Sequence, residues 1–225
     1  MKVLITAGGT REDIDDIRSI TNHSTGRLGS IVADKFIQEG ADVTYVCGEN
    51  ATLPSNVPSE IIYVRSTQNL LDTIERLLQS KKYDCVIHAM AVSDYTPTGI
   101  IYADDPNSVI HPLDVNKISS NGSGVMLVLK PTAKVINRIK ILQPETFLIG
   151  FKLVSNLSED DLLLAATNVL EKNQCDIVAA NDLRDISIDT HKAIFIGKTG
   201  IISRASTKHD IADFIYTSTI ERVAK

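Results

Sequence analysis

Met1–Gly29, MKVLITAGGTREDIDDIRSITNHSTGRLG, is the stretch on which the reading of the fold turns. Met1–Ala7 is short, apolar and rich in β-branched residues, as suits a strand buried in a parallel sheet. From Leu28 the apolar residues fall at Leu28, Ile31, Val32 and Phe36, the spacing of an amphipathic helix that stops near Gly40. A dinucleotide fold joins such a strand to such a helix by a tight glycine turn, whereas here about sixteen residues intervene after Gly9. This long polar insert needs a purpose of its own.

Working outward, Asp42–Gly48 (DVTYVCG) reads as a second strand that completes a β-loop-α-β unit and pairs in parallel with the first. Ile61–Val64 is a short strand. Ser66 or Thr67 then caps a helix with Leu70, Leu71, Ile74, Leu77 and Leu78 on one face. Tyr83–Ala91 (YDCVIHAMA) predicts a central strand running into Val92-Ser93-Asp94, where polar groups replace apolar ones. Thr98–Gly124 is irregular, with possible short strands at Ile100–Ala103 and Ser108–Ile110. Its polar end, Asn116–Gly124, reads either as a flap carrying Lys117 or as an exposed turn with a solvated lysine. Val125–Leu129 predicts a strand with Lys130-Pro131 as its exit, and Thr132–Leu142 a helix. Thr146–Leu153 is a strand, Ser158 opens a helix over Glu159–Lys172, and Cys175–Ala180 leads into Asn181-Asp182. A hairpin over Lys192–Arg204 and a helix over Thr207–Lys225 close the chain. Strands alternate with helices and no linker divides them. The expectation is one α/β domain over residues 1–225 with a mostly parallel, mixed sheet and a flap near 111–124.

The bulk properties exclude more than they assign. The chain has 225 residues, 43% hydrophobic and 23% charged, which suits a folded domain with a substantial core. Its formal net charge of −5 argues against broad binding to nucleic acid or an anionic membrane. Cys47, Cys85 and Cys175 form no CxxC pair and read as buried thiols. No leader-like segment precedes the first strand and no apolar run reaches the ~18 residues of a membrane span, so the expected location is the cytoplasm.

Polar residues recur where strands should end: Gly8-Gly9-Thr10, Ser93-Asp94, Lys130, Phe151-Lys152 and Asn181-Asp182. In an α/β sheet such ends meet around one crevice. Ser24-Thr25-Gly26 precedes a helix, where hydroxyls and unpaired N–H groups suit either a phosphate or plain capping. The pattern is neither a Walker loop nor GxGxxG. Asn22 can orient a carbonyl or carboxylate, and Arg18 can supply a cationic fork. Glu12, Asp13, Asp15 and Asp16 read as solvated acids of a turn. Asp94 is the better candidate for magnesium, the alternative being an Asx turn toward Pro97. His88 reads as a strand residue with a local hydrogen-bond partner. No nucleophile elbow and no zinc spacing occur.

The motifs Gly8–Asp15, Arg18–Asn22, Ser24–Gly29, Ala91–Tyr95, Asn116–Ile118, Leu129–Thr132, Gly150-Phe151 and Lys172–Asp182, in that order, resemble the phosphopantothenate–cysteine ligase (phosphopantothenoylcysteine synthetase) family in its free-standing bacterial form. The resemblance implies a three-layer Rossmann-like fold with ribokinase-like features and a homodimer. It implies CTP-dependent ligation of 4′-phosphopantothenate to L-cysteine through an acyl-cytidylate, with Mg2+ as cofactor, no flavin in this chain, and a separate decarboxylase as next enzyme. By the same resemblance Asn22 and Lys117 are catalytic. Gly9, Arg18, Ser24, Thr25, Gly26, Ala91, Asp94, Lys130, Phe151 and Lys172 meet substrate or nucleotide, with Asp94 also at the metal. The sequence departs from the family pattern at Thr25 for serine, at Ser119-Ser120 for two flap lysines, and at Lys152-Leu153-Val154 after Gly-Phe. A nicotinamide oxidoreductase and a noncatalytic nucleotide-binding module are the rival readings.

Overall fold

The computed structural model describes residues 1–104, 109–113 and 124–224. Its centre is an eight-stranded sheet with the spatial order β12-β11-β10-β9-β6-β1-β4-β5. The six strands β5 (Glu60–Val64), β4 (Asp42–Gly48), β1 (Lys2–Ala7), β6 (Cys85–His88), β9 (Phe147–Val154) and β10 (Ile177–Asp182) are mutually parallel. The terminal hairpin β11 (Ala193–Gly197) and β12 (Gly200–Ala205) adds two antiparallel strands at one edge. The mixed sheet foreseen from the sequence is therefore present.

Alternation along β1 sorts the core into two. Val3, Ile5 and Ala7 face α1 (Arg27–Gln38) and α5 (Lys208–Val223), whereas Leu4 faces α2 (Thr67–Ser80), α3 (Val135–Leu142) and α4 (Glu159–Asn173). Helices on both faces give three layers. Both faces of β1 are buried, which is why its sequence is a continuous apolar run. Ser66, Ser158 and Thr207 cap α2, α4 and α5 with their side-chain oxygens, the last in a reciprocal capping box with Asp210. All three cysteines are buried and unpaired, and burial raises their thiols to about 11 or 12.

Three expectations need correction. The strand expected over 83–91 ends at His88, because the chain then leaves the sheet to pair Gly9 with Ala91 in a lone bridge. The strand expected over 125–129 runs on as β8 (Val125–Pro131) and lies outside the main sheet, paired with β7 (Tyr95–Tyr102) in an antiparallel ribbon. Ile100–Tyr102 belongs to β7, whereas Val109 and Ile110 form no strand. The long insert after Gly9 contains its own small hairpin, β2 (Arg11–Asp13) and β3 (Ser19–Thr21), which the sequence reading missed.

Candidate functional site

Because six strands are parallel, their carboxyl ends share one edge, and the loops there collect the candidate residues. Three segments there, Gly8-Gly9, Gly26 and Gly48–Ala51, pack too closely to admit added side chains. A Cβ at Gly48 would lie 2.5 Å from the Gly9 carbonyl oxygen, and one at Gly8 would lie 2.7 Å from the Ala51 Cβ. A Cβ at Gly26 would lie 3.0 Å from Gly8 N, and Gly8 and Gly26 both adopt positive φ, 82° and 75°. The glycines are thus required by close approach as well as by conformation.

α1 starts on this junction. Its N-cap is Gly26, with no side-chain cap. Thr25 Oγ1 accepts only a long 3.4 Å bond from Arg27 N, so the serine and threonine of Ser24-Thr25-Gly26 do not perform ordinary capping. Thr25 instead ties the junction through its carbonyl, which accepts from Thr52 N at 2.9 Å. Ser24, Gly9 and Asn22 line an open cleft of about 170 Å³ together with Arg11, Thr21, residues 48–51, Val64 and Arg65. Asn22 is exposed, but its amide is anchored: Nδ2 donates to the Ala91 carbonyl at 3.1 Å. Thr10 N donates to the same oxygen, and Ala91 N donates to Gly8 O at 2.8 Å.

Beneath the cleft lies a buried hydroxyl network. Thr10 Oγ1 accepts from Ser93 N at 2.9 Å and lies 3.3 Å from Thr67 Oγ1, while Thr132 Oγ1 donates to Ser93 O at 2.5 Å. Glu12, 4% exposed, accepts from Thr67 N at 2.8 Å and so places a carboxylate at the N-terminus of α2. Asp15 is also buried, accepting from the backbone of Ile17 and Arg18 and from the Arg18 guanidinium. Asp13 takes a bidentate pair from Arg65 at 2.8 Å, and Arg65 also donates to Glu49 at 2.7 Å. Among the described residues Asp16 alone of the four acids is exposed without such a tie, so the expectation of a solvated acidic turn is corrected. These acids organise the insert. Alternation along Arg11-Glu12-Asp13, one residue inward between two outward, was the signal available.

The remaining candidates fall at different distances from this edge. Arg18 is drawn onto Asp15, whose hydrogen bonds raise the guanidinium pKa, and it braces the tip of the β2–β3 hairpin. Asp94 is exposed at the root of the β7–β8 ribbon, ion-paired with Lys134, and its carbonyl accepts from Thr132 N at 3.0 Å. Lys130, opposite Thr96, is exposed on the same ribbon, not at the end of a sheet strand as expected. Phe151 is half-buried against the α1/α5 face of the core. Its neighbour Gly150 aligns with His88, and His88 with Thr6, so Phe151 reaches the same edge two strands from β1. Lys172 is in the last turn of α4, which connects the end of β9 to the start of β10, and therefore sits at the opposite edge. The fold does not bring it to Gly9. Lys117 and most of the expected flap lie outside the described residues.

His88 behaves as a strand residue: its Nδ1 lies 2.9 Å from Thr6 Oγ1, and burial lowers its pKa to about 4. Asn181 contacts buried His191, whose pKa burial also lowers to about 4. Asp182 clamps Arg184 and the backbone of Asn156 and Leu157, which holds its carboxyl far below the usual range. This gives Asp182 a structural part in joining β9's exit to β10's.

For magnesium the donor set is sparse. Among the described residues no group of three or more His, Cys, Asp or Glu side chains converges, and Asp94 already has a cationic partner. One carboxylate fits an ion carried mainly by phosphate oxygens and water rather than a protein cage.

The sequence matches the family model described as DNA/pantothenate metabolism flavoprotein C-terminal domain over residues 1–223. The chain belongs to this family. A coenzyme A biosynthesis bifunctional protein CoaBC from Thermococcus kodakarensis is 40% identical over 197 residues, which cover 88% of this chain and 45% of that protein. Another of that name from Vibrio vulnificus is 33% identical over 181 residues, covering 80% and 41%. The chain thus spans about half the length of the curated relatives it matches. The crystal structure of the DNA/pantothenate metabolism flavoprotein from Streptococcus pneumoniae superposes with a TM-score of 0.90 at 38% identity, covering 98% of this chain and 99% of that one. The three-layer α/β architecture is therefore that of the family. No helix among the described residues is long and apolar enough to cross a membrane.

Proposed function

We propose that this chain is a phosphopantothenate–cysteine ligase of coenzyme A biosynthesis, joining 4′-phosphopantothenate to L-cysteine at the expense of CTP. What carries the reading is the convergence of Asn22, Ala91, Ser24 and three glycine loops at one sheet edge, in a chain whose family relatives are named for coenzyme A biosynthesis.

The chemistry asks for two things from such a site. A free carboxylate is a poor acyl donor, so activation comes first: carboxylate oxygen attacks the α-phosphorus of CTP, forming the acyl-cytidylate and releasing pyrophosphate. The cysteine amine then adds to the acyl carbon, CMP leaves, and the amine's surplus proton is lost. Charge builds on oxygen in both steps, and fixed dipoles stabilise it without reorganising. The Asn22 amide is such a dipole, held by Ala91 with one N–H still available. Gly9, Ser24 and the uncapped start of α1 offer hydrogen-bond donors to phosphate oxygens, where the helix dipole favours anions. Asp94 would hold magnesium jointly with nucleotide phosphates. When bound, the ion neutralises triphosphate oxygens and helps pyrophosphate depart. Lys117, Lys130 and Phe151 are assigned to the nucleotide on the family resemblance, as are the homodimer, a separate decarboxylase as next enzyme, a cytoplasmic location and the lack of flavin.

The test is direct. Purified protein with CTP, magnesium, 4′-phosphopantothenate and L-cysteine is expected to release equal amounts of CMP and pyrophosphate, with ATP a poorer substitute. A folded protein that binds CTP but turns nothing over would sink the assignment and leave the binding-module reading.

A further inference from the structure

Arg11 is the cation of the cleft that the fold does not use. Alternation along β2 turns Glu12 inward onto the N-terminus of α2 and leaves Arg11 on the other face of the hairpin, where it lines the cleft with its cross-strand partner Thr21. Its side chain is half-buried, and among the described residues its guanidinium makes no hydrogen bond or ion pair. Only its backbone N–H is tied, to Arg65 O at 2.7 Å. Arg65, the other cation of the lining, is the opposite case: Asp13 takes Nε and one terminal nitrogen, and Glu49 takes the second. The formal charges of Arg11, Arg65, Asp13 and Glu49 cancel, so their sum selects nothing. What differs is that Arg65 has spent its fork on carboxylates, whereas Arg11 keeps its fork for an anion from outside the chain.

Neighbouring cations serve elsewhere: Arg18 lies on Asp15, Lys134 on Asp94, and Lys130 out on the ribbon. Gly9 and Ser24, in the same lining as Arg11, offer phosphate oxygens neutral donors but no charge. Activation of a carboxylate by a nucleoside triphosphate asks for charge. As the carboxylate oxygen bonds to the α-phosphorus, the bond from that phosphorus to the α,β-bridging oxygen breaks, and its electron pair leaves on pyrophosphate. Negative charge therefore grows on the β,γ-diphosphate, the part of the nucleotide that the acyl-cytidylate does not keep. A planar guanidinium that takes two non-bridging oxygens at once matches that group in shape and in sign.

Resting on the ligase reading, we infer that Arg11 is the receptor for the leaving diphosphate: its guanidinium binds the β,γ-phosphates of CTP in this cleft and balances the charge as pyrophosphate departs. Both CTP and phosphopantothenate carry phosphate, and Gly9 and Ser24 beside Arg11 are what assign this position to the nucleotide. The experiment follows formation of the cysteine product by the wild type, Arg11→Gln and Arg11→Lys, with pyrophosphate and CMP as inhibitors. Arg11→Gln is expected to raise the KM for CTP and the inhibition constant of pyrophosphate together by about 10- to 100-fold, as loss of a charged hydrogen-bond pair does. The inhibition constant of CMP, which lacks both phosphates, and the KM values for phosphopantothenate and L-cysteine stay within about twofold on the same argument. Arg11→Lys keeps the charge without the fork and is expected to fall between the two. An unchanged pyrophosphate constant, or a CMP constant that rises as much, overturns the inference. So does a rise confined to phosphopantothenate, which would move Arg11 to the other phosphate. If the wild type turns nothing over, the ligase reading is lost first, and calorimetric titration with CTP and with CMP still decides Arg11. The wild type is then expected to bind CTP more tightly than CMP, and Arg11→Gln to lose that difference. Equal affinities in the wild type, or an unchanged ratio in the variant, overturn the inference.

Discussion

Asn22 Nδ2 donates to the Ala91 carbonyl oxygen at 3.1 Å, and Thr10 N donates to that same oxygen. One acceptor therefore joins the hairpin exit, the turn after β1 and the segment beyond β6. The amide of Asn22 is oriented by the sheet edge through the Ala91 carbonyl, which is the preorganisation an electrostatic role needs.

Asn22→Ala is expected to lower kcat/KM for ligation by about 100-fold or more, the range for removing one oriented donor from a developing oxyanion. Stability falls by only about 1 kcal/mol, since a single exposed hydrogen bond is lost. Steady-state kinetics and a thermal melt on the same preparation check both parts. Near-normal turnover would remove Asn22 from the chemistry.

Glu12 predicts a different signature. Its buried carboxylate sits on Thr67 N, so Glu12→Ala leaves a helix N-terminus and a cavity unsatisfied, and is expected to cost about 2 kcal/mol in urea unfolding. Glu12→Gln keeps an acceptor and is expected to lose less than half of that. Equal losses in the two variants would mean that the acceptor at α2 is not what matters.

Gly48→Ala tests the crowding of the loops. The added Cβ would meet the Gly9 carbonyl at 2.5 Å, a backbone atom that cannot rotate away. Overpacking of this kind costs about 1–3 kcal/mol. The variant is expected to bind nucleotide more weakly in equilibrium titration. Gly40→Ala is a fitting control, because nothing lies within 4 Å of a Cβ there, although its φ of +78° adds backbone strain.

Lys134 bears on the metal. It neutralises Asp94 at the ribbon's root, so a cation approaching that carboxylate has to displace an ammonium. If Asp94 serves magnesium, Lys134→Ala lowers the Mg2+ concentration for half-maximal activity. Asp94→Asn raises it. A magnesium titration that moves in neither variant assigns the pair to holding the ribbon.

The pH dependence of stability has a definite sign. Burial lowers His88 and His191 from the ordinary 6.5 to about 4, so the unfolded chain binds protons in that interval that the folded one refuses. Stability is present in full above about pH 6.5 and is lost as pH falls toward 4, by at most about 3 kcal/mol from His88. Asp182, depressed below its ordinary 3.8, extends the loss to more acid pH. Denaturant unfolding at pH 7 and pH 5 should show the drop, and His88→Gln should flatten it.

How far the residues alone reveal this arrangement depends on the range of the interactions. β1, β4 and α1 are legible because burial on both faces or on one stripe prints a local period. The same holds for the cap at Ser158, whose partner is three residues away. The ribbon of β7 and β8 was not legible as a separate sheet: Val125–Leu129 is a continuous apolar run like that of a buried strand, and only pairing between distant segments reveals that it leaves the core. Glu12, Thr67 and Arg65 stayed hidden for the same reason, since each finds its partner more than fifty positions away. In the candidate site, Asn22, Ser24 and Ala91 were legible through motif order and converge at one edge. Lys172 was named by that order too, but helix direction carries it to the far side of the sheet.

The contact of Gly8, Gly26, Gly48 and Ala51 also divides labour between backbone and side chains. A side chain at any of the three glycines would have to move a neighbour, so this junction beside the cleft is closed to variation. Any retuning of the cleft has to come from other residues that line it, among them Arg11, Asn50 and Val64. An engineer altering what the cleft accepts would leave the glycines untouched and randomise those three.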